Sequence, residues 1–198
     1  MSHGWQLGGS LVISSLKGNY DVSTSGFVWN RKFRDPNWYI NADGNLPASR
    51  PLQIKLYGSA QLPAGFLGSF FFVHSSGSPW QRTVTVVPPS SWAKANNVST
   101  QSFSINVEPR GSRWTESTSN LDLRLEKRFK IKDYGFLSVF VDIYNVLGNT
   151  YFYITTNPGG VWRPVDNNTN EGTYSPGWTG ITGFSGVRTL KFSFKFTF

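Results

Sequence analysis

The last ten residues constrain this chain more than any other segment. Leu190, Phe192, Phe194, Phe196 and Phe198 alternate with Thr189, Lys191, Ser193, Lys195 and Thr197. Successive side chains of a strand point to opposite faces, so period two makes this a strand with one apolar face and one basic, hydroxylated face. Four phenylalanines on one face is a heavy aromatic load for a soluble strand. The terminal strand of a soluble sandwich is one reading; a lipid-facing strand is the sharper one.

The same alternation recurs upstream. Trp5, Leu7, Leu11 and Ile13 oppose Gln6, Ser10 and Ser14, and Leu52, Ile54, Leu56, Ala60 and Leu62 oppose Gln53, Lys55, Tyr57, Ser59 and Gln61. Residues 66–75 are Phe-rich, and their facing is ambiguous. Leu121, Leu123, Leu125, Phe129 and Ile131 oppose Asp122, Arg124, Glu126 and Arg128, and Leu137, Val139, Val141 and Ile143 oppose Ser138, Asp142 and Tyr144. No segment carries a convincing helical period. The four charges on that face, Asp122, Arg124, Glu126 and Arg128, must face water, a polar lumen or each other, because an Arg turned into lipid near the midplane costs roughly 2–4 kcal/mol.

Composition narrows the class. A mean hydropathy of −0.29 and the absence of any run near the roughly 18 apolar residues of a spanning helix exclude a helical membrane protein. They leave a barrel open, since a barrel strand is only half apolar. The chain has no cysteine and two histidines, so disulfides, thiol chemistry and a histidine-rich metal centre are excluded. Twenty glycines and 11 prolines argue against a helical fold. The net charge of +8 fits nucleic acid, an anionic surface or a charged lumen.

Connection lengths alternate. Pro63-Ala64-Gly65 and the stretch around Lys132-Asp133-Tyr134-Gly135 are tight turns, whereas roughly 17–50, 76–117 and 148–184 are long connections. Tight turns at one end and long loops at the other are the pattern of transmembrane barrels. The expected fold is therefore all-β: an antiparallel transmembrane β-barrel segment with about six long strands, near 4–16, 51–62, 66–75, 118–131, 136–147 and 185–198. The turns would be periplasmic and the loops extracellular. Residues 103–107 and 151–154 are expected to extend strands above the membrane. Six strands are too few to close a barrel, for which about eight is the minimum. With no signal peptide at the N-terminus, the expectation is that 1–198 is the C-terminal part of a larger barrel.

Three stretches carry a family resemblance. Asn45-Leu46-Pro47-Ala48-Ser49-Arg50-Pro51-Leu52-Gln53-Ile54-Lys55-Leu56-Tyr57-Gly58-Ser59 resembles a late strand of TonB-dependent outer-membrane receptors of the Oar-like group. Ser75-Ser76-Gly77-Ser78-Pro79-Trp80-Gln81-Arg82 resembles a strand end of that group. Asn120 to Phe129 followed by Leu137 to Leu147 resembles its penultimate hairpin. The match covers most of 45–198, and 48–52 departs from it by lacking the family's acidic residue before Arg50-Pro51 and the His after. The resemblance implies a 22-stranded barrel with an N-terminal plug, a domain not matched here. It implies barrel-wall and extracellular-loop duty in active substrate uptake, not an enzyme. Leu190, Phe192, Phe194, Phe196 and Phe198 would be the signal read by the barrel-assembly machinery. Asp122, Arg124, Glu126, Arg128, Lys191 and Lys195 would face the lumen. Expected partners are outer-membrane lipid and lipopolysaccharide, the assembly machinery, the TonB complex through the plug, and an extracellular substrate, without nucleic acid or cofactor. The place would be the bacterial outer membrane.

Other motifs in the chain point elsewhere and are weaker. Ser75 and Ser76 adjoin His74, but adjacency along a strand is not triad geometry. Residues 166–172 resemble a calcium loop, with the glycine one place late and Gly177 where a bidentate Glu is needed. Gly180, Gly183 and Gly186 lack the strand–helix context of a phosphate loop. Asn97-Val98-Ser99 and Asn167-Asn168-Thr169 match glycosylation acceptors. Arg31, Lys32 and Arg34, with Phe33 between them, form a basic patch. Trp29, Trp38, Tyr39, Trp80, Trp92, Trp114, Trp162 and Trp178 fall in or beside the long loops. Of these, all but Trp114 are candidate substrate contacts, the alternative being loop packing or an interfacial girdle. Two further readings compete with the receptor: a self-contained small porin or adhesin barrel, and a soluble carbohydrate-binding β-sandwich.

Overall fold

In the computed structural model, residues 4–19, 36–97, 102–154, 160–165, 171–176 and 181–198 are described. The protein is all-β and antiparallel throughout its main sheet. Six strands make that sheet: β1 (Trp5–Ile13), β2 (Leu52–Leu62), β3 (Phe66–Ser75), β4 (Thr118–Ile131), β5 (Gly135–Tyr144) and β6 (Thr189–Thr197), adjacent in chain order. The sheet is open, with β1 and β6 at its edges and no closed barrel.

The alternating segments are the strands, and their register fixes which side chains share a face. One rung runs Leu7–Gly58–Phe70–Leu123–Ile143–Leu190 and the next Trp5–Ala60–Gly68–Leu125–Val141–Phe192. Between them lies a rung of polar residues pointing the other way, Gln6–Ser59–Ser69–Arg124–Asp142–Lys191. The facing of β3 is thereby settled: Phe70 and Phe72 join the apolar face, while Leu67, Phe71 and Val73 lie on the polar one. Phe71 sits beside Tyr57, whose ring crosses onto Gly8 of β1. A Cβ at Gly8 would lie 2.6 Å from that ring, so only glycine lets it settle there.

Strand ends have local causes. β1 stops at Ile13, short of the expected 16, and beyond it the Ser14 N–H donates to Pro51 O at 3.0 Å. β5 stops at Tyr144 rather than 147 because Asn145 turns left-handed (φ 52°) and donates its backbone N–H to Asp122 Oδ1. β6 begins at Thr189, not 185. Gly186, at φ 106°, separates it from a short strand, Ile181–Ser185, that pairs with Tyr151–Ile154. Residues 151–154 thus form a ribbon of their own rather than continuing β5. Phe103–Asn106 likewise belongs to a separate sheet, in the order 172–175, 161–164, 83–86, 103–106. A short helix, Ser90–Ala95, completes the loops; six residues are too few to show a helical period in sequence.

Both tight turns, Pro63–Gly65 and 132–134, lie at one end of the sheet, and all three long connections leave the other. The long connections are tied to one another. Asn45 N–H donates to Arg110 O at 3.1 Å, and Arg110 N–H to Asn41 O at 3.0 Å. Val161–Trp162 pairs parallel with Thr85–Val86. Gly44 is bridged to Arg110 so closely that a Cβ on Gly44 would overlap the Arg110 carbonyl.

Burial is inverted relative to a water-soluble domain. Among the described residues, Ala42 is the one apolar side chain, proline aside, that is buried, whereas Ser49, Ser138, Asp142 and Asn145 are all buried. Leu7, Leu11, Leu190, Phe192 and Phe194 are each more than half exposed. A soluble sheet hides its apolar face under a second layer; among the described residues the apolar face of this sheet carries none.

Candidate functional site

The polar face of the main sheet gathers the six residues expected to line a lumen. Asp122, Arg124, Glu126 and Arg128 follow one another on β4, and Lys191 and Lys195 lie two strands away on β6. Arg124 grips Asp142 of β5 through both arms, Nε to Oδ1 at 2.5 Å and Nη2 to Oδ2 at 2.9 Å. Asp142 is 2% exposed, whereas the Arg124 side chain is 49% exposed. The pair therefore joins a hidden anion to a cation that still meets solvent. Such a bidentate, charge-assisted bond holds the hairpin in register more firmly than a surface ion pair. Asp122 accepts from Asn120 Nδ2 and from the Asn145 backbone, both at 2.9 Å. Arg128 stands 4.0 Å from Glu126, a loose pair whose arginine is exposed. The guanidinium groups of Arg124 and Arg128 also lie over the rings of Phe140 and Phe136, at 5.3 and 5.8 Å.

Asp142 is the member of this group that was not singled out from sequence. It was legible: Arg124 and Asp142 are equidistant from Asp133 at the centre of the tight turn, which makes them cross-strand partners on one face.

On the opposite face, Leu190, Phe192, Phe194 and Phe196 pair with Ile143, Val141, Val139 and Leu137 of β5. Phe198 lies beyond the strand, fully exposed, its ring stacked on Phe196 at 6.4 Å. Near the tight turns Lys127 interrupts the apolar face. It bends to the turn, donating to Ala64 O, with its ammonium 4.5 Å over the Phe66 ring. This is how a lysine keeps its charge at the border of an apolar surface while burying its stem.

The candidate loop contacts that lie among the described residues are spread over separate elements. Trp29 and Trp178 lie outside the described residues, as do the basic patch 31–34, residues 98–99, residues 166–170, Gly177 and Gly180. Trp38 and Tyr39 end a short 3₁₀ turn, with Tyr39 exposed. Trp92 is exposed on the short helix, and Trp114 is exposed on a two-residue strand. Trp162 packs its ring on Gly172 of the adjacent strand. Trp80 is partly covered by the Arg113 guanidinium, 5.4 Å above its ring.

That arginine belongs to a clamp that sequence reasoning missed. Glu108 accepts from Arg113 Nε at 2.7 Å, from the Arg82 backbone N–H at 2.8 Å and from Arg82 Nε at 3.2 Å. The Arg113 hydrogen bond chiefly, with the Arg82 bonds adding to it against partial burial, holds the Glu108 carboxyl down to about 2 from its ordinary 4.5. The clamp closes the long connection between β3 and β4 at its base. Three residues spread between positions 82 and 113, with no repeat or motif, left no signal to read.

No arrangement for covalent catalysis is assembled among the described residues. His74 Nδ1 lies 2.8 Å from Ser119 Oγ, with no carboxylate behind the ring. Ser75 and Ser76 make backbone hydrogen bonds at the strand end. No group of three metal-ligating side chains occurs among the described residues. No family model matches the sequence, and neither a curated protein nor a solved structure matches it.

Proposed function

We propose that the chain is a wall segment of a bacterial outer-membrane β-barrel, the C-terminal part of a TonB-dependent receptor of the Oar-like kind. One observation carries the reading: the six-stranded sheet leaves Leu7, Leu125, Phe192 and Phe194 of its apolar face exposed while Asp142 and Ser138 of its polar face are buried. That distribution costs free energy in water, at about 25 cal/mol per Å² of apolar surface left wet. In a bilayer it is the favourable one. In this reading the apolar face meets lipid, the face bearing Arg124, Asp142, Lys191 and Lys195 meets a hydrated lumen, and the tied long connections form the extracellular mouth. Lys127, bent to the turn, marks the periplasmic border. The wall is passive. Energy for uptake enters through the family's plug and the TonB complex, and the substrate is chosen by the loops. Leu190, Phe192, Phe194, Phe196 and Phe198 present the strand read by the assembly machinery. The soluble sandwich is disfavoured because the apolar residues stand exposed, with no second sheet over them among the described residues.

Spin labels test this directly. Placed at 125 and 192 in lipid vesicles, they should collide with oxygen and not with a water-soluble nickel chelate; at 124 and 193 the preference should reverse. Phe198→Asp should slow barrel assembly, read as loss of the heat-modifiable band. Monodisperse behaviour in buffer without detergent, with all four labels open to nickel, would overturn the reading.

A further inference from the structure

The apolar face of the main sheet is not flat. A hollow of about 630 Å³ is sunk into it between Trp5 on β1 and the β4–β5 hairpin. Ala60 and Gly68, paired on one rung, form its floor, and Trp5, Leu62, Phe70 and Leu125 stand around them. The floor is low because two small residues lie side by side between Trp5 and Leu125. Gln6, Ser59, Ser69 and Arg124 also border the hollow, but they form the rung whose side chains point to the other face. The volume falls within the roughly 300–1,000 Å³ of pockets that seat small molecules.

One rung nearer the tight turns, Lys127 stands on the same face. It pairs with Phe66 as Leu125 pairs with Gly68, two residues or about 7 Å further along the strand. Its ammonium lies 4.5 Å from the centre of the Phe66 ring and 5.9 Å from that of Phe129, and it donates to Ala64 O. A carbonyl and two ring faces orient an ammonium without cancelling its charge. An ammonium carries three N–H donors, so two remain beyond the Ala64 bond.

A phospholipid has its parts in the same order. From the turns towards the loops the sheet presents a cation and then an apolar hollow. From Lys127 to Leu123 this spans four residues or about 14 Å, close to the roughly 15 Å of one leaflet's hydrocarbon. The charge chooses among lipids. A single ammonium at the head of the hollow complements a headgroup of net negative charge, whereas a zwitterionic headgroup brings a second cation to the same place.

We propose that Lys127 and the hollow beside it seat one anionic phospholipid of the leaflet at the tight-turn end, its phosphodiester on Lys127 and an acyl chain over Ala60 and Gly68. The proposal rests on the membrane reading of the sheet and adds to it a lipid class and a place.

Trp5, on the wall of the hollow, is the reporter. The full chain is folded into phosphatidylcholine vesicles that contain a small share of lipid brominated along its acyl chains, phosphatidylglycerol in one set and phosphatidylcholine in the other. Bromine quenches tryptophan on contact, and the Trp5 share is the quenching lost in Trp5→Phe. Brominated phosphatidylglycerol should quench that share at about fivefold lower content than brominated phosphatidylcholine, the preference expected of one lysine at a lipid surface. Lys127→Gln should abolish the preference while quenching by brominated phosphatidylcholine persists, and Lys127→Arg should keep it. Ala60→Leu, which fills the floor, should lower quenching by brominated phosphatidylglycerol. Equal quenching of the parent by the two lipids, a preference that survives Lys127→Gln, or quenching untouched by Ala60→Leu would each overturn the proposal and leave the membrane reading standing. Trp5 quenched by neither lipid would overturn both.

Discussion

The main sheet and the loop assembly solve opposite problems with the same residue types. In the sheet, charge is confined to one face and paired across strands, as in Arg124–Asp142, while the other face is left to leucine and phenylalanine. In the loops, asparagine, glutamine and the Glu108 carboxylate reach across chain segments to backbone groups. The sheet draws its stability from where its apolar face is placed; the loops draw theirs from directional bonds. The environment should therefore govern the first and pH the second.

The largest expected effect breaks the sheet side of that contrast. Leu125→Arg places a charge in the middle of the apolar face and should cost roughly 2–4 kcal/mol of folding free energy in a bilayer. Urea titration in vesicles measures it, and no loss would mean that this face does not meet lipid. The next effect is on the polar face. Arg124→Met strands the hidden Asp142 carboxylate and should cost about 1–3 kcal/mol. The double variant Arg124→Met/Asp142→Leu should recover most of that, a coupling visible in a double-mutant cycle.

The smallest effect sharpens the loop side. Glu108→Gln should cost about 0.5–1 kcal/mol locally. It should show as faster proteolysis between residues 76 and 117 with the sheet's circular dichroism unchanged. The same clamp sets a pH window. Glu108 has its carboxyl pKa lowered on folding, so its contribution is complete above the ordinary value of 4.5 and is lost as pH falls towards about 2. The fluorescence of Trp80, under Arg113, should change across that interval in the parent and stay flat in Glu108→Gln.

These regions also differ in how far they could be read from sequence. Long strands announce themselves because each pair of residues repeats the same vote: Leu121, Leu123 and Leu125 against Asp122, Arg124 and Glu126 leave one answer. β3 was opaque because Phe70, Phe71 and Phe72 are consecutive and serve both faces; only pairing with Tyr57 on one side and Asp122 on the other separates them. The loops were opaque for another reason. A four-residue strand such as Thr83–Val86 carries too few alternations to register, and its partners at 103–106 and 161–162 lie far away along the chain. Glu108 and Arg110 gained their meaning only from what the folded backbone set beside them.

The order of the strands bears on how the chain assembles. Closing a loop costs about 0.6 kcal/mol for each doubling of its length. The long connections are roughly ten times the tight ones, a difference of about 2 kcal/mol in closure entropy. Two hairpins, 52–75 and 118–144, should therefore nucleate first as independent units. Their docking through β3 and β4, and the arrival of β1 and β6, would follow as slower events that wait on the loops to find one another.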